Sequence, residues 1–288
     1  MSRRTPLMAV REIRIGSVPI GGERPLALIA GPCVLESEKL AIQVAGTLSE
    51  IASELEVPFV FKSSYLKDNR MSHGSYAGPG LESGLRTLAR VRSEVGVPVL
   101  SDVHEREEIG PAAEVLDALQ IPAFLCRQTR LLEEAAAAGK PLNIKKGQFM
   151  APEDMGRVAG KAEAAGNADI LLTERGHSFG YHNLVVDMRG IHIMRRLGFP
   201  VVFDATHSVQ LPGAASGTSG GQPEFVPVLA RAACAAGCDA LFIETHPKPE
   251  EALSDAGSMI PLSDLRALLE NILPVAEVVR HRGRRDDA

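Results

Sequence analysis

Residues 199–208 read FPVVFDATHS and residues 238–247 read CDALFIETHP. Each contains a run that is apolar at every position, VVF in one and ALFI in the other, and then turns to acid, hydroxyl and imidazole. A strand with one wet face alternates apolar and polar residues, whereas a strand of a parallel sheet, buried on both faces, does not. Both segments therefore predict buried parallel strands. Toward the N-terminus the same plan recurs in residues 26–35 (LALIAGPCVL), 57–65 (VPFVFKSSY), 97–104 (VPVLSDVH), 117–124 (DALQIPAF), 141–149 (PLNIKKGQF) and 169–176 (DILLTERG). Ala- and Leu-rich stretches at helical spacing lie between the runs, for example 81–95, 152–165 and 262–279. Eight β-then-α units with no break in composition predict an α/β protein, a closed (β/α)8 TIM barrel forming one domain over residues 1–288. The competing open, doubly wound sheet would carry a Gly-rich dinucleotide turn after its first strand, and the chain has none there.

Ser37, Pro152 ahead of Glu153 and Asp154, and Ser263 ahead of Asp264 predict helix starts. Residues 1–25 read as an N-terminal extension. Within it, residues 10–25 combine a Gly-Gly turn with alternating apolar positions, which predicts a short β-hairpin closing the barrel's bottom. The charged residues 281–288 predict a disordered, frayed tail.

Composition narrows the function classes. A net charge of −5 gives no long-range attraction for nucleic acid or an anionic membrane, and 4% aromatic residues without Trp argue against base stacking. No run reaches the roughly 18 apolar residues of a membrane span, and the basic start has no signal-peptide segment behind it. Four cysteines in 288 residues are no disulfide framework. These features predict a cytoplasmic enzyme of small molecules.

Every run ends in polar residues: Cys33 and Glu36; Lys62, Lys67, Asn69 and Arg70; Asp102 and His104; Arg127 and Gln128; Lys145, Lys146 and Gln148; Glu174, Arg175 and His177; Asp204 and His207; Glu244 and His246. In a barrel these ends converge on the C-terminal mouth, where catalytic groups sit. A strand reaching water commonly ends in a polar residue, so one such end means little; all eight together point to a site. Lys62, Lys67, Arg70, Arg127, Lys145 and Arg175 would crowd that mouth, balanced only in part by Asp102, Glu174 and Glu244. Such cations repel and are costly to desolvate, so they predict a ligand with more than one phosphate or carboxylate.

Cys33, His207, Glu244 and Asp255 come from the first, seventh and eighth runs and the loop after the eighth. Closure makes those strands neighbours. A thiolate, an imidazole and two carboxylates suit a borderline divalent ion such as Fe2+, Zn2+ or Mn2+. Singly, Cys33 also reads as a small buried hydrophobe and Asp255 as a loop cap. Cys234 and Cys238 read as core packing. Residues 216–221 (SGTSGG) lack a P-loop's Gly-Lys-Ser/Thr and read as a mobile flap over the mouth. His73, His177, His182 and His192 are assigned no role.

Several blocks resemble 3-deoxy-D-manno-octulosonate 8-phosphate synthases: AGPCVLES (30–37), FKSSYLKDNR (61–70), IPAFLCRQT (121–129), NIKKGQF (143–149), LTERGHSFGYHNLVVDM (172–188), DATHSVQLPG (204–213) and FIETHPKPEEALSD (242–255). The resemblance implies a TIM barrel, a homotetramer, and condensation of phosphoenolpyruvate with arabinose 5-phosphate in lipopolysaccharide sugar synthesis. By position it implies that Lys145 and Arg175, with the backbone at Ala123, hold the phosphoenolpyruvate phosphate. Lys62 and Lys67 would meet its carboxylate or the space between the substrates; Asn69, Arg70 and Asp102 would meet the aldose phosphate, and Arg127 that phosphate in a neighbouring subunit. Lys67, Asn69, Asp102 and His207 are thereby the candidate catalytic residues. Metal-independent members have Asn where this chain has Cys33, so Cys33, His207, Glu244 and Asp255 resemble the metal-dependent kind. The match departs after Lys67. Lys67-Asp68-Asn69-Arg70-Met71-Ser72 stands for Lys-Ala-Asn-Arg-Ser/Thr-Ser, Leu66 replaces a common Asp, and Ala77 a common Arg.

The implied reaction has C3 of phosphoenolpyruvate attack the aldehyde carbon, water add at C2, and phosphate leave. The rivals are a 3-deoxy-D-arabino-heptulosonate 7-phosphate synthase, which typically carries Lys-Pro-Arg-Thr-Ser after the second strand, a metal-dependent sugar-phosphate aldolase, and a non-catalytic sugar-phosphate sensor.

Overall fold

The segments 199–208 and 238–247 contain adjacent parallel strands, Val202 opposite Ala240 and Asp204 opposite Phe242. The computed structural model describes residues 9–68, 75–213 and 220–286. Among these, eight parallel strands form the barrel: β1 (Ala27–Gly31), β2 (Phe59–Lys62), β3 (Val99–Asp102), β4 (Ala118–Ile121), β5 (Leu142–Lys145), β6 (Ile170–Glu174), β7 (Val201–Asp204) and β8 (Ala240–His246). Each pairs with the next, and β8 closes on β1 with Ala240 opposite Ala27 and Glu244 opposite Gly31. The helices outside are α1 (Glu38–Glu54), α2 (Leu81–Val95), α3 (Arg106–Val115), α4 (Thr129–Ala137), α5 (Met155–Ala164), α6 (Arg189–Arg195), α7 (Val226–Ala235) and α8 (Leu265–Asp286). Ser37 caps α1, its Oγ accepting from the Leu40 N–H at 3.2 Å. Ser263 does not act as predicted: its hydroxyl donates to Asp264 Oδ1 inside a 3-10 turn. The α8 backbone runs through the charged segment as far as Asp286.

Alternation along each strand decides what fills the barrel. Leu142, Ile144, Val201, Phe203, Leu241 and Ile243 face the helices and belong to the main apolar core. Val60, Leu100, Ala118, Leu171, Val202 and Phe242 face inward and pack with Ile13, Ile15, Val18 and Ile20. Those last four belong to an antiparallel hairpin, Glu12–Ile15 against Val18–Gly21, which fills the barrel floor as the sequence predicts. The hairpin's own turn lies at Gly16 and Ser17, and the Gly-Gly pair makes a second turn where the chain leaves it, the Arg24 N–H donating to the Gly21 carbonyl at 3.1 Å. Gly21 also serves close approach: at φ +91 a Cβ there would come 2.3 Å from the Arg11 carbonyl and 2.6 Å from Pro200.

Two residues further along each strand the inward positions become polar. Val60 gives way to Lys62, Leu100 to Asp102, Ala118 to Gln120, Val202 to Asp204 and Phe242 to Glu244, all of them buried. Asn143 Nδ2 donates to Gln120 Oε1 at 3.0 Å and Thr173 Oγ1 to Asn143 Oδ1 at 2.5 Å. An apolar floor thus passes through a hydrogen-bonded layer to a charged mouth. No helix among the described residues is long and apolar enough to cross a membrane.

Candidate active site

Lys62 ends β2 and lies at the centre of the mouth, 1% exposed. Its Nζ donates to the Cys33 carbonyl at 3.2 Å, Ser64 Oγ at 3.0 Å and Glu244 Oε1 at 3.0 Å, and stands 3.8 Å from Asp102 Oδ1. An ammonium has three donors, and these three partners take them all. Lys62 therefore holds β1, β2 and β8 in mutual register while lending its charge to the cavity. Lys67, on the loop after β2, reaches the same carboxylate at 3.9 Å. Burial works against its charge, but Cys33, Glu244, Asp102 and Asp255 outweigh that and hold its pKa well above the usual range.

A cavity of about 320 Å³ opens at the mouth, and Lys67, Asp102, Ala123, Lys145, Gln148 and Arg175 are among its walls. Lys145 ends β5. Its Nζ pairs with Asp204 and lies 4.0 Å over the Phe242 ring of the floor. Arg175, just past β6 and 4% exposed, donates from Nη2 to Gln210 Oε1 at 3.0 Å. Its Nε and Nη1 are shielded from solvent and have no hydrogen-bond partner. Burial lowers the pKa of both cations, for Lys145 against the pull of Asp204. A bound anion would supply the missing acceptors and the missing counter-charge.

The four residues predicted to ligate a metal begin beside Lys145, with His207 Nδ1 3.4 Å from its Nζ. Ligand atoms of Cys33, Glu244 and Asp255 all lie within 4.8 Å of one another. His207 Nε2 is 3.6 Å from Glu244 Oε2 and 3.9 Å from Asp255 Oδ2. Its Nδ1 sits 2.8 Å from Asp204 Oδ2, which favours the proton on Nδ1 and leaves the Nε2 lone pair toward the carboxylates. Glu244 Oε2 is buried without a hydrogen-bond partner. The Cys33 thiol donates to Asp255 Oδ2 at 3.2 Å, and burial, then Asp255 and Glu244, push its pKa up. Asp255 adopts φ +50, a left-handed conformation that Asp tolerates better than most residues. A soft sulfur and two carboxylates gathered together, with an imidazole nitrogen near both carboxylates, fit a borderline divalent ion.

Not every predicted site residue is here. Arg127 is exposed and lines a separate surface pocket with Phe149, Met150, Asp154, Arg157 and Lys161. Asn69 and Arg70 lie outside the described residues, as do Met71, His73 and residues 214–219 of the glycine-rich segment. Gly220 and Gly221 pair with Leu211 and Gln210. Glu174 does not balance the mouth; it lies behind it, 3.3 Å from Lys146. Cys234 and Cys238 are buried, unbridged thiols, as core packing predicts. Three of the strand-end residues that carry no assigned role line or organise the cavity: Asp204 between Lys145 and His207, His104 on Asp102, and Gln148. For Asp204 alternation supplies the missing signal, because an acid two residues after the inward-facing Val202 faces the cavity as well.

The DAHP synthetase I family profile matches residues 8–279 of this chain. The chain is 59% identical to a 2-dehydro-3-deoxyphosphooctonate aldolase of Alkalilimnicola ehrlichii over 264 residues, covering 92% of this chain and 95% of that one. Proteins of the same name from Geobacter metallireducens and Methylococcus capsulatus are 57% identical over 270 residues (94% of this chain, 99% of the relative) and 56% identical over 272 (94% and 96%).

Proposed function

The chain belongs to the DAHP synthetase I family, and we propose that within it this protein is a 3-deoxy-8-phosphooctulonate synthase. As such it is a transferase that condenses phosphoenolpyruvate, arabinose 5-phosphate and water into 3-deoxy-D-manno-octulosonate 8-phosphate and inorganic phosphate. The names of its relatives support the activity. The observation that carries it in the geometry is the buried Arg175 guanidinium, two of its nitrogens unpartnered, in one cavity with Lys145 and Lys67.

Lys145 and Arg175, with the backbone at Ala123, bind the phosphoenolpyruvate phosphate; Lys67 meets its carboxylate beneath the charge of Lys62. Asn69 and Arg70 take the aldose phosphate, and the ionised Asp102 serves the aldose as an acceptor for a hydroxyl and not as a phosphate ligand. Holding both reactants removes most of the translational freedom that opposes carbon–carbon bond formation. C3 of phosphoenolpyruvate attacks the aldehyde carbon, water adds at C2, and the hemiketal expels phosphate. Lys67 stabilises the alkoxide that grows on the former aldehyde oxygen. Cys33, His207, Glu244 and Asp255 would hold a divalent ion, which supplies a Lewis acid beside the aldehyde. The resemblance supports a cytoplasmic homotetramer that makes a lipopolysaccharide sugar precursor.

Purified protein should release phosphate from phosphoenolpyruvate with arabinose 5-phosphate and little with erythrose 4-phosphate. A reversed preference overturns the sugar assignment, and binding with no phosphate release from phosphoenolpyruvate in the presence of any aldose phosphate makes the protein a sensor. Chelation should abolish turnover and a divalent ion restore it, while Cys33→Ala should lower the bound-metal stoichiometry. Full activity after exhaustive metal removal defeats the metal assignment.

A further inference from the structure

Behind the anion-binding cations, on the outer side of the same two strands, lies a buried ion pair. Lys146 follows Lys145 and Glu174 precedes Arg175, so alternation turns both away from the cavity. Lys146 Nζ is 3.3 Å from Glu174 Oε1, and both side chains are 0% exposed. The same Oε1 accepts the backbone N–H of Arg175 at 3.0 Å and of Gly176 at 2.7 Å. Lys146 Nζ donates to the Gly176 carbonyl at 3.2 Å and lies 3.3 Å from His177 Nε2. The turn that aims Arg175, with Gly176 at φ +87, is thus gripped from both sides.

Stability alone does not account for this pair. Buried ion pairs are often replaceable by apolar residues of similar size at no loss of stability. Glu174 Oε2 is moreover buried without a hydrogen-bond partner, packed so closely under α6 that a Cβ at Gly190 would come 3.0 Å from it. Burial also lowers the Lys146 pKa against the pull of Glu174. Such a cost is commonly retained where it fixes a geometry.

We propose that Lys146 and Glu174 are positioning residues that set Arg175 relative to Lys145, so that the two cations converge on one phosphate group. This rests on reading those cations as the phosphate cradle. Neither Lys146 nor Glu174 lines the cavity, and their effect passes through the Arg175–Gly176 backbone.

Two double variants separate this role from a structural one. Lys146→Met with Glu174→Met removes both the charges and the backbone acceptor. Lys146→Met with Glu174→Gln removes the charges and keeps an acceptor for both N–H groups. The Met/Met variant should bind inorganic phosphate about tenfold more weakly by calorimetry and raise the KM for phosphoenolpyruvate alike, with the aldose phosphate KM unchanged. The Met/Gln variant, which loses the Lys146 donor to the Gly176 carbonyl but keeps the acceptor, should fall between the two, about threefold weaker than wild type. Wild-type phosphate affinity in the Met/Met variant, or both KM values rising together, overturns the proposal. If the wild-type protein binds phosphate yet condenses no substrates, the reaction assignment falls while phosphate affinity still judges the pair.

Discussion

His104 stands at the mouth with Nε2 3.1 Å from Asp102 Oδ2 and Nδ1 3.7 Å from Glu108 Oε2. Burial opposes a charge on this ring, but the neighbouring carboxylates of Asp102 and Glu108 outweigh burial and raise its pKa from 6.5 to about 9. A folded-state pKa above the unfolded one stabilises fully below the unfolded value and ceases to as pH rises through the folded value. The window here runs from about 6.5 to about 9, and it is worth at most about 3 kcal/mol. Urea unfolding followed from about pH 6 to about pH 9.5 should therefore show the wild type losing more stability than His104→Gln, by about 1–3 kcal/mol. Equal losses in the two proteins would mean the imidazolium is not held by Asp102 in the fold. Asp102 changes in the opposite sense: Lys62, His104 and Lys67 overcome its burial and hold it well below the ordinary carboxylate range. Its contribution is present at neutral pH and disappears only in acid.

The strands and the hairpin show how much an element announces itself. Runs such as VVF and ALFI mark β7 and β8 because a doubly buried strand leaves no polar position to confuse the pattern. The hairpin is legible for a related reason: Ile13, Ile15, Val18 and Ile20 alternate with exposed or half-buried neighbours. Two Gly-containing steps, Gly16-Ser17 and Gly21-Gly22, both turn the chain, and only the first joins the two hairpin strands. The mouth was legible in composition, since most of the strands end in charge. It was less legible in direction, and Glu174, next to Arg175, points the other way. Counting alternation from an apolar neighbour known to face inward would have separated them; counting charges did not. The floor and the mouth also differ in what they tolerate. Ile20 is 0% exposed among barrel-floor residues, and truncating such a side chain costs about 2–5 kcal/mol. Ile20→Ala should lower the denaturation midpoint accordingly while leaving both substrate KM values unchanged. A raised KM at undiminished stability would show that the floor communicates with the mouth.

Arg127 sets the question that one chain cannot answer from its own cavity. It is exposed, and the start of α4 beside it is fixed by Lys161, which donates to the Arg127 carbonyl at 3.1 Å and to Thr129 Oγ1 at 2.8 Å. Phe124 on the wall of the mouth is 57% exposed and Phe149 beside Arg127 is 59% exposed. Large aromatics left in water, one of them lining a pocket with Arg127, suit a surface covered by another subunit. The proposed homotetramer would bring Arg127 of one subunit to the aldose phosphate of the next, so each site would be built from two chains. Subunit mixing tests this directly. Arg127→Ala and Lys145→Met should each be nearly inactive alone. Co-expressed, they form sites in which an Arg127→Ala chain supplies Lys145 and its neighbour supplies Arg127, and random pairing makes about a quarter of the sites complete. Activity should return toward that fraction. If Arg127 served its own chain, every mixed site would lack one cation or the other, and mixing would recover nothing.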